Sequence, residues 1–322
     1  MFLNFNKHKL EKKGFFAIWG SLIGAYALMI VFQLILAVVA GLALGATGLI
    51  TGMDGSTLYL ELFMTLGTVA AVCLMAFAIH KWKKADVGLC LDGKGWKEYG
   101  VGILVGLGML LSSMAPGFLA KKLTFSFVEN IEIGMLIVYA IGFVIQSFSE
   151  EFLFRGYMMP RLSQKYNVYF VLFAQAIIFS LVHASNPNVS ILGLVNIFLI
   201  GMVFGMLIIV TDNIMLASGL HFLWNYAQGC IFGINVSGLS DMPTIWECQN
   251  TGSVFLTGGD FGVEGSFITS IVSIIVCMAL LPAVKKTIKA KTLPIDEAAI
   301  AEFAAAEAAK KSSKAATQKS NP

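Results

Sequence analysis

The sequence predicts an all-α membrane protein, a polytopic helix bundle of about eight transmembrane helices. Of its 322 residues, 57% are hydrophobic and only 13% are charged, whereas soluble domains carry roughly 25% charged residues. Apolar runs near the roughly 20 residues that a helix needs to cross a bilayer recur along the chain. The basic residues cluster in loops and tails, which is the pattern of a topology signal and not of a nucleic-acid-binding patch.

Eight apolar runs define the predicted spans. They cover residues 15–47, 58–80, 98–120, 132–158, 168–185, 189–211, 213–229 and 266–284. The first run is much longer than the core of a signal peptide, which has about 7–15 residues, so we expect it to be retained as a span. The runs give a transmembrane bundle over residues 1–291. The Ala/Lys-rich tail 292–322 is expected to be cytoplasmic and partly disordered.

The lysines set the expected orientation. Residues 1–13 carry four lysines and the loop 81–97 carries five, whereas the segment 230–265 has no Lys or Arg and four acids. Because Lys and Arg accumulate on the cytoplasmic side, both termini are predicted inside and 230–265 outside. An extracytoplasmic location would allow a disulfide between Cys230 and Cys248, although pairing cannot be read from their spacing.

Two acids and an arginine stand at the end of the fourth apolar run. Ionisable groups are costly in a bilayer and are by default functional candidates. On a helix, Glu151 and Arg155 are i,i+4 neighbours that can pair, whereas Glu150 points about 100° away. One acid therefore has a built-in partner and the other is available for a different role. A purely structural ion-pair network remains an alternative for all three residues.

Two further polar pairs lie inside spans. Phe179 and His183 are one helical turn apart in the fifth span, and His221 and Asn225 are one turn apart in the seventh. A lone histidine in an apolar helix is more often a hydrogen-bonded core residue than a catalyst. Three spans with polar groups weaken that interpretation, because each group bears its own desolvation cost. The depth of Glu150, at about 1.5 Å per residue, overlaps with theirs, so one polar cavity could hold all of them.

These residue types suggest amide hydrolysis inside the membrane. A carboxylate and a histidine beside a water molecule can deprotonate it for attack on a carbonyl. A second histidine and an amide can stabilise the oxyanion that forms. No serine or cysteine accompanies these groups in a recognisable nucleophile motif, so activated water is the simplest nucleophile. The candidate catalytic residues are Glu150, His183, His221 and Asn225.

The three motifs together resemble the CPBP family of intramembrane endopeptidases, the CAAX-protease and bacteriocin-processing family also called Abi proteins. They occur in the family's order, with EExxxR at Glu150–Arg155, FxxxH at Phe179–His183 and HxxxN at His221–Asn225. The stretch Asn196–Gly205 also looks like the family, and the resemblance covers roughly residues 95–230. It implies a bundle of about eight helices that cleaves membrane-associated or hydrophobic peptides, with prenylated CAAX-type proteins as one candidate substrate class.

The resemblance also implies roles for individual residues. Glu150 and His183 would activate water, and His221 and Asn225 would form the oxyanion site. The supporting residues would be Glu151, Arg155 and Phe179. The partners implied are the lipid bilayer and a peptide or protein substrate, with no nucleic acid.

Two alternatives remain open, a zinc-dependent mechanism and a function without catalysis. The family is often labelled a metalloprotease, and zinc would suit Glu150, His183 and His221, since catalytic zinc takes three protein ligands plus water. There is no HExxH motif, and Asn225 is a poor zinc ligand, so a glutamate mechanism without a cofactor is preferred. The rival function is a non-catalytic membrane scaffold or immunity protein, against which the intact motifs argue.

The predicted orientation can be tested by cysteine labelling. In intact cells, an impermeant thiol reagent should modify a cysteine introduced in 230–265 and should spare one introduced in 292–322. Labelling of the tail cysteine after permeabilisation is the control for its reactivity. Labelling of that cysteine in intact cells would contradict the predicted topology.

Overall fold

The computed structural model describes residues 13–46 and 58–291, and these residues form a helical membrane bundle, which confirms the predicted fold class. In chain order the helices are α1 (Phe15–Ala46), α2 (Leu58–Ile79), α3 (Gly93–Leu119), α4 (Ile133–Ser163), α5 (Val168–Val182), α6 (Ile191–Thr211), α7 (Met215–Tyr226), α8 (Val254–Thr257) and α9 (Phe267–Lys291). Residues 1–12 and the tail 292–322 lie outside the described residues, so the predictions for them stay predictions.

Six helices within the described residues are long and apolar enough to cross a membrane, fewer than the eight predicted spans. The exceptions among the predicted spans are 168–185 and 213–229. The first is the 15-residue α5, and the second is the 12-residue α7 with a π-helical extension, Ala227–Ile231. A backbone can leave the helix at membrane depth where it lies against protein or lines a cavity.

Helix starts follow local capping chemistry. The side chain of Asp92 accepts hydrogen bonds from the backbone N–H groups of Lys94 and Gly95, so α3 begins earlier than the predicted residue 98. Asn167 caps α5 and Ser190 caps α6 in the same way. These caps satisfy N–H groups that would otherwise lack acceptors inside an apolar bundle.

Helix α7 packs against α3 so closely that only glycine fits along the contact. A Cβ atom on Gly102 would lie 2.0 Å from the carbonyl oxygen of Leu216, and one on Gly219 would lie 2.1 Å from that of Tyr99. Small residues at such crossings let two backbones approach within a membrane. The crossing fixes α7, which carries the third sequence motif, deep within the bundle.

Helix α4 changes its winding immediately after the paired acids. Residues Ile133–Glu151 are α-helical, and Phe152–Met158 form a π-helical turn in which every residue is buried. π-helical turns are rare in proteins overall, and those that occur within α-helices often lie at functional sites. Because the winding changes, side chains beyond Glu151 point in different directions from those that they would have in a uniform α-helix.

The segment 230–265 is more ordered than a simple external loop. Its strand β2 (Trp246–Asn250) pairs antiparallel with β1 (Leu123–Phe127), and Phe127 lies opposite Trp246. Cys230 and Cys248 are both free thiols, so no disulfide forms between them. They pack into different hydrophobic clusters, which explains why they do not meet. Burial raises the pKa of the Cys248 thiol to about 11.

Asn196 joins the middle of the bundle to the start of α9. Its amide nitrogen donates to the carbonyl oxygens of Glu264 and Ser266 at 2.6 and 2.7 Å, and its amide oxygen accepts from the Ser270 hydroxyl. Asn196 is fully buried. A single amide therefore satisfies three polar groups where the chain re-enters the bundle.

We expect Asn196→Leu to lower the free energy of unfolding, because it strands two carbonyl oxygens and a hydroxyl, at about 1–3 kcal/mol for each unsatisfied group. Ser270→Ala removes only one of the three bonds and should cost less. Thermal unfolding of the detergent-solubilised protein measures both. An unchanged midpoint for Asn196→Leu would show that this junction is not important for stability.

Candidate active site

One cavity of about 610 Å³ lies among the helices. The four predicted catalytic side chains all line it, although they come from α4, α5 and α7. Its other walls come from α1, α2, α6 and the segment 230–265. The overlap of depths expected from the sequence is thus matched by a shared cavity.

Glu150 lines the cavity and has one carboxylate oxygen hydrogen-bonded and the other without a partner among the described residues. Its Oε1 accepts a hydrogen bond of 2.7 Å from the amide nitrogen of Gln146. Its buried Oε2 has no hydrogen-bond partner among the described residues and lies 3.8 Å from Nε2 of His221. The side chain is 25% exposed. Glu150 is therefore an acceptor with one oxygen fixed and one available.

Glu151 forms the i,i+4 ion pair that the sequence predicted. Its Oε1 accepts from the Arg155 guanidinium at 2.9 Å, and both side chains have no exposed surface. The guanidinium carbon lies 4.3 Å from the centre of the Phe179 ring and 4.9 Å from that of Phe204. These rings and the pairing carboxylate surround a buried cation that would otherwise be very costly.

His221 lies between the two acids. Its Nδ1 is 3.1 Å from Glu151 Oε1, and its Nε2 faces Glu150 Oε2. A carboxylate can only accept, so Nδ1 is the protonated nitrogen of a neutral ring. The ring stacks on Phe204 with 5.1 Å between centroids. Glu151 and Phe204 thus fix the orientation of His221, and an imidazolium at this position would have a carboxylate on each side.

His183 directly follows the last residue of α5. Its Nδ1 lies 2.7 Å from the carbonyl oxygen of Phe179, one turn earlier. Because that carbonyl can only accept, Nδ1 carries the proton in the neutral ring, and Nε2 is the nitrogen that can take up a proton. The Phe179 ring packs edge-on against His183 and His221. Phe179 therefore contacts both histidines as well as Arg155.

Asn225 is bonded to a residue that the sequence analysis missed. Its amide nitrogen donates to Oε1 of Gln146 at 3.1 Å. The same Gln146 donates to Glu150, so one amide links the first and third motifs. A glutamine one turn before Glu150 in an apolar run was a visible signal, but it belongs to none of the three motifs.

A second missed residue, Glu264, lines the cavity from the segment 230–265. Its carboxylate accepts from Trp224 at 3.1 Å, from Gln228 at 2.6 Å and from Ser237 at 3.3 Å. Burial raises the pKa of the Glu264 carboxyl above its ordinary value, and these donors offset part of that effect. Its place in the sequence resembles that of the other loop acids, so no local signal distinguished it.

The residues proposed as zinc ligands are not arranged as a ligand set in this structure. Nδ1 of His183 and Nδ1 of His221 each bond an oxygen acceptor. Over residues 13–46 and 58–291, no three His, Cys, Asp or Glu side chains converge as they would around a metal ion. The oxygen acceptors hold Nδ1 of both rings and leave each Nε2 for another partner. The mechanism without a metal therefore stays a prediction.

Comparison with protein families gives one match, and it covers the three motifs. Residues 132–227 match the family model described as type II CAAX prenyl endopeptidase Rce1-like. Comparison with curated proteins gives no match. The match extends from the residue before α4 to the residue after α7, so it contains the four candidate catalytic residues. Residues 132–227 thus match an Rce1-like domain, which supports the family that the motifs indicated, the CPBP or CAAX-protease family of membrane peptidases.

Proposed function

We propose that this protein is a CAAX-type intramembrane endopeptidase that hydrolyses peptide bonds through water activated by Glu150 and His183. The observation that carries the proposal is the cavity that the partly exposed carboxylate of Glu150 lines together with His183, His221 and Asn225. A water molecule between the carboxylate and the histidine would have an acceptor on each side. General-base activation requires that arrangement.

In the proposed reaction, Glu150 takes a proton from the water while His183 orients it through Nε2. The resulting hydroxide adds to the carbonyl carbon of the scissile bond, and the electron pair of the C=O bond moves to oxygen. Collapse of the tetrahedral intermediate breaks the C–N bond. The proton held by Glu150 then passes to the departing amine, so the carboxylate is regenerated.

We assign the oxyanion to Asn225 and His221. One N–H of the Asn225 amide bonds Gln146, and its second N–H is available for the oxyanion. His221 would donate through Nε2 when both of its nitrogens are protonated, a form with Glu151 and Glu150 on its two sides. Donors aimed at developing negative charge are typically the largest single contribution to catalysis.

The residues of the cavity wall favour a hydrophobic substrate. On one side the wall is formed mainly by apolar residues of α1 and α2, together with the polar Gln33, Glu61 and Thr65. The apolar residues are Ile30, Leu34, Ala37, Leu58, Leu62 and Met64. An apolar wall beside polar reacting groups suits a membrane-associated segment, and the family description adds prenylated CAAX proteins as candidates. We further propose that the protein works in the bilayer with its termini on the cytoplasmic side, which the lysine distribution supports.

We expect Glu150→Gln to abolish turnover with the fold intact, a loss of at least about 10²-fold, because the amide cannot take the proton from water. Cleavage of hydrophobic peptides by purified protein and its thermal midpoint measure the two properties. Glu132→Gln is a matched control, since this exposed acid stands at the other end of α4. Near-normal cleavage by Glu150→Gln would refute the proposed mechanism.

Elemental analysis tests the metal-free form of the proposal. Active, detergent-solubilised protein should contain no stoichiometric metal, and its activity should survive exhaustive chelation. One tightly bound zinc ion per active chain, lost together with activity and restored with it, would establish the metal-dependent alternative. That result would leave the peptidase assignment standing.

A further inference from the structure

Gln146 is the one residue that hydrogen-bonds both Glu150 and Asn225 within the described part of the chain. Its Nε2 donates to Glu150 Oε1 at 2.7 Å, and its Oε1 accepts from Asn225 at 3.1 Å. We infer that Gln146 is a positioning residue that couples the water-activating carboxylate to the oxyanion amide. The inference rests on the proposed function and extends it to a residue outside the three motifs.

The direction of each hydrogen bond follows from chemistry. The Glu150 carboxylate only accepts, so Gln146 must turn its NH₂ group toward it. The carbonyl oxygen of Gln146 then faces Asn225, which must donate a hydrogen bond to it from its own NH₂ group. A flipped Asn225 would bring two carbonyl oxygens together. The charge on Glu150 therefore determines, through Gln146, which end of the Asn225 amide is presented as a donor.

The orientation of the Asn225 amide matters for the proposed reaction. With its NH₂ group held toward Gln146, Asn225 has a second N–H on the same nitrogen for the oxyanion. The reverse orientation would present a carbonyl oxygen to developing negative charge. Gln146 also holds Oε1 of Glu150, which leaves Oε2 as the carboxylate oxygen that has no hydrogen-bond partner among the described residues. One amide thus sets the geometry of both proposed reacting groups.

The position of Gln146 agrees with a role in the site. It lines the cavity, half-buried, in an otherwise apolar stretch of α4. A polar amide in such a place bears a desolvation cost. Its side-chain partners are Glu150, Asn225 and the adjacent Ser147, whose hydroxyl lies 3.3 Å away. Unlike Asn196, its side chain holds no distant backbone segment in place.

Gln146→Leu should lower kcat by about 10–10²-fold and leave KM within about twofold, because misplaced catalytic groups lose rate with little change in binding. Gln146→Glu keeps an acceptor for Asn225 but replaces the donor to Glu150 with a second carboxyl group, whose like charge also perturbs the proposed base, so it should lower kcat as well. A loss expressed only in KM, or no loss in kcat, would overturn the inference.

A double-mutant cycle with Asn225→Ala tests the coupling. If Gln146 acts partly through Asn225, Gln146→Leu should cost a smaller factor in the Asn225→Ala background than in the wild type. Multiplicative losses would show that it does not act through Asn225. Gln164→Leu is the matched control, because this buried glutamine bonds Arg161 and lies outside the cavity. It should lower stability without changing kcat.

A structure of the Gln146→Leu variant tests the same inference without an activity assay. The Glu150 carboxylate and the Asn225 amide should each leave the rotamers they have in the wild type. Unchanged rotamers would overturn the inference whatever the substrate is. If Glu150→Gln retains activity, the proposed mechanism fails, and the variant structure still decides whether Gln146 positions the two side chains.

Discussion

The buried ion pair between Glu151 and Arg155 is the interaction on which the site depends. It connects four helices, because the guanidinium lies against Phe179 of α5 and Phe204 of α6 while the carboxylate also meets His221 of α7. Neither charge has exposed surface. Removing one partner of such a pair leaves an uncompensated charge, which is far more costly than replacing both.

This constraint separates the roles of two adjacent acids. Glu151 contacts Arg155 and His221 through its Oε1, whereas the adjacent Glu150 lines the cavity. His221 is then held between them. The adjacent π-helical turn and the close crossing of α7 with α3 bring these groups together at one depth in the bundle.

The sequence was informative wherever a short spacing determined the geometry. The i,i+4 rule was sufficient for the Glu151–Arg155 pair, and the order of the motifs indicated the family. The two short helices were counted as spans because their apolar runs, 168–185 and 213–229, come close to the roughly 20 residues that a helix needs to cross a bilayer. Glu264 was missed because it reaches the cavity only after 230–265 folds back, a long-range contact. Gln146 bonds Glu150 on its own helix and Asn225 on α7. The second bond exists only because two helices meet, so the spacing of residues within one helix could not reveal it.

The most direct test compares the stability of Glu151→Gln, Arg155→Met and the double variant in purified protein. Each single change should lower the free energy of unfolding by about 3–5 kcal/mol. The double variant should be more stable than either single one, because no buried charge is then left unpaired, and it should still lack activity since His221 has lost its partner. Wild-type stability in Glu151→Gln, or losses that simply add in the double variant, would contradict the central role of this pair.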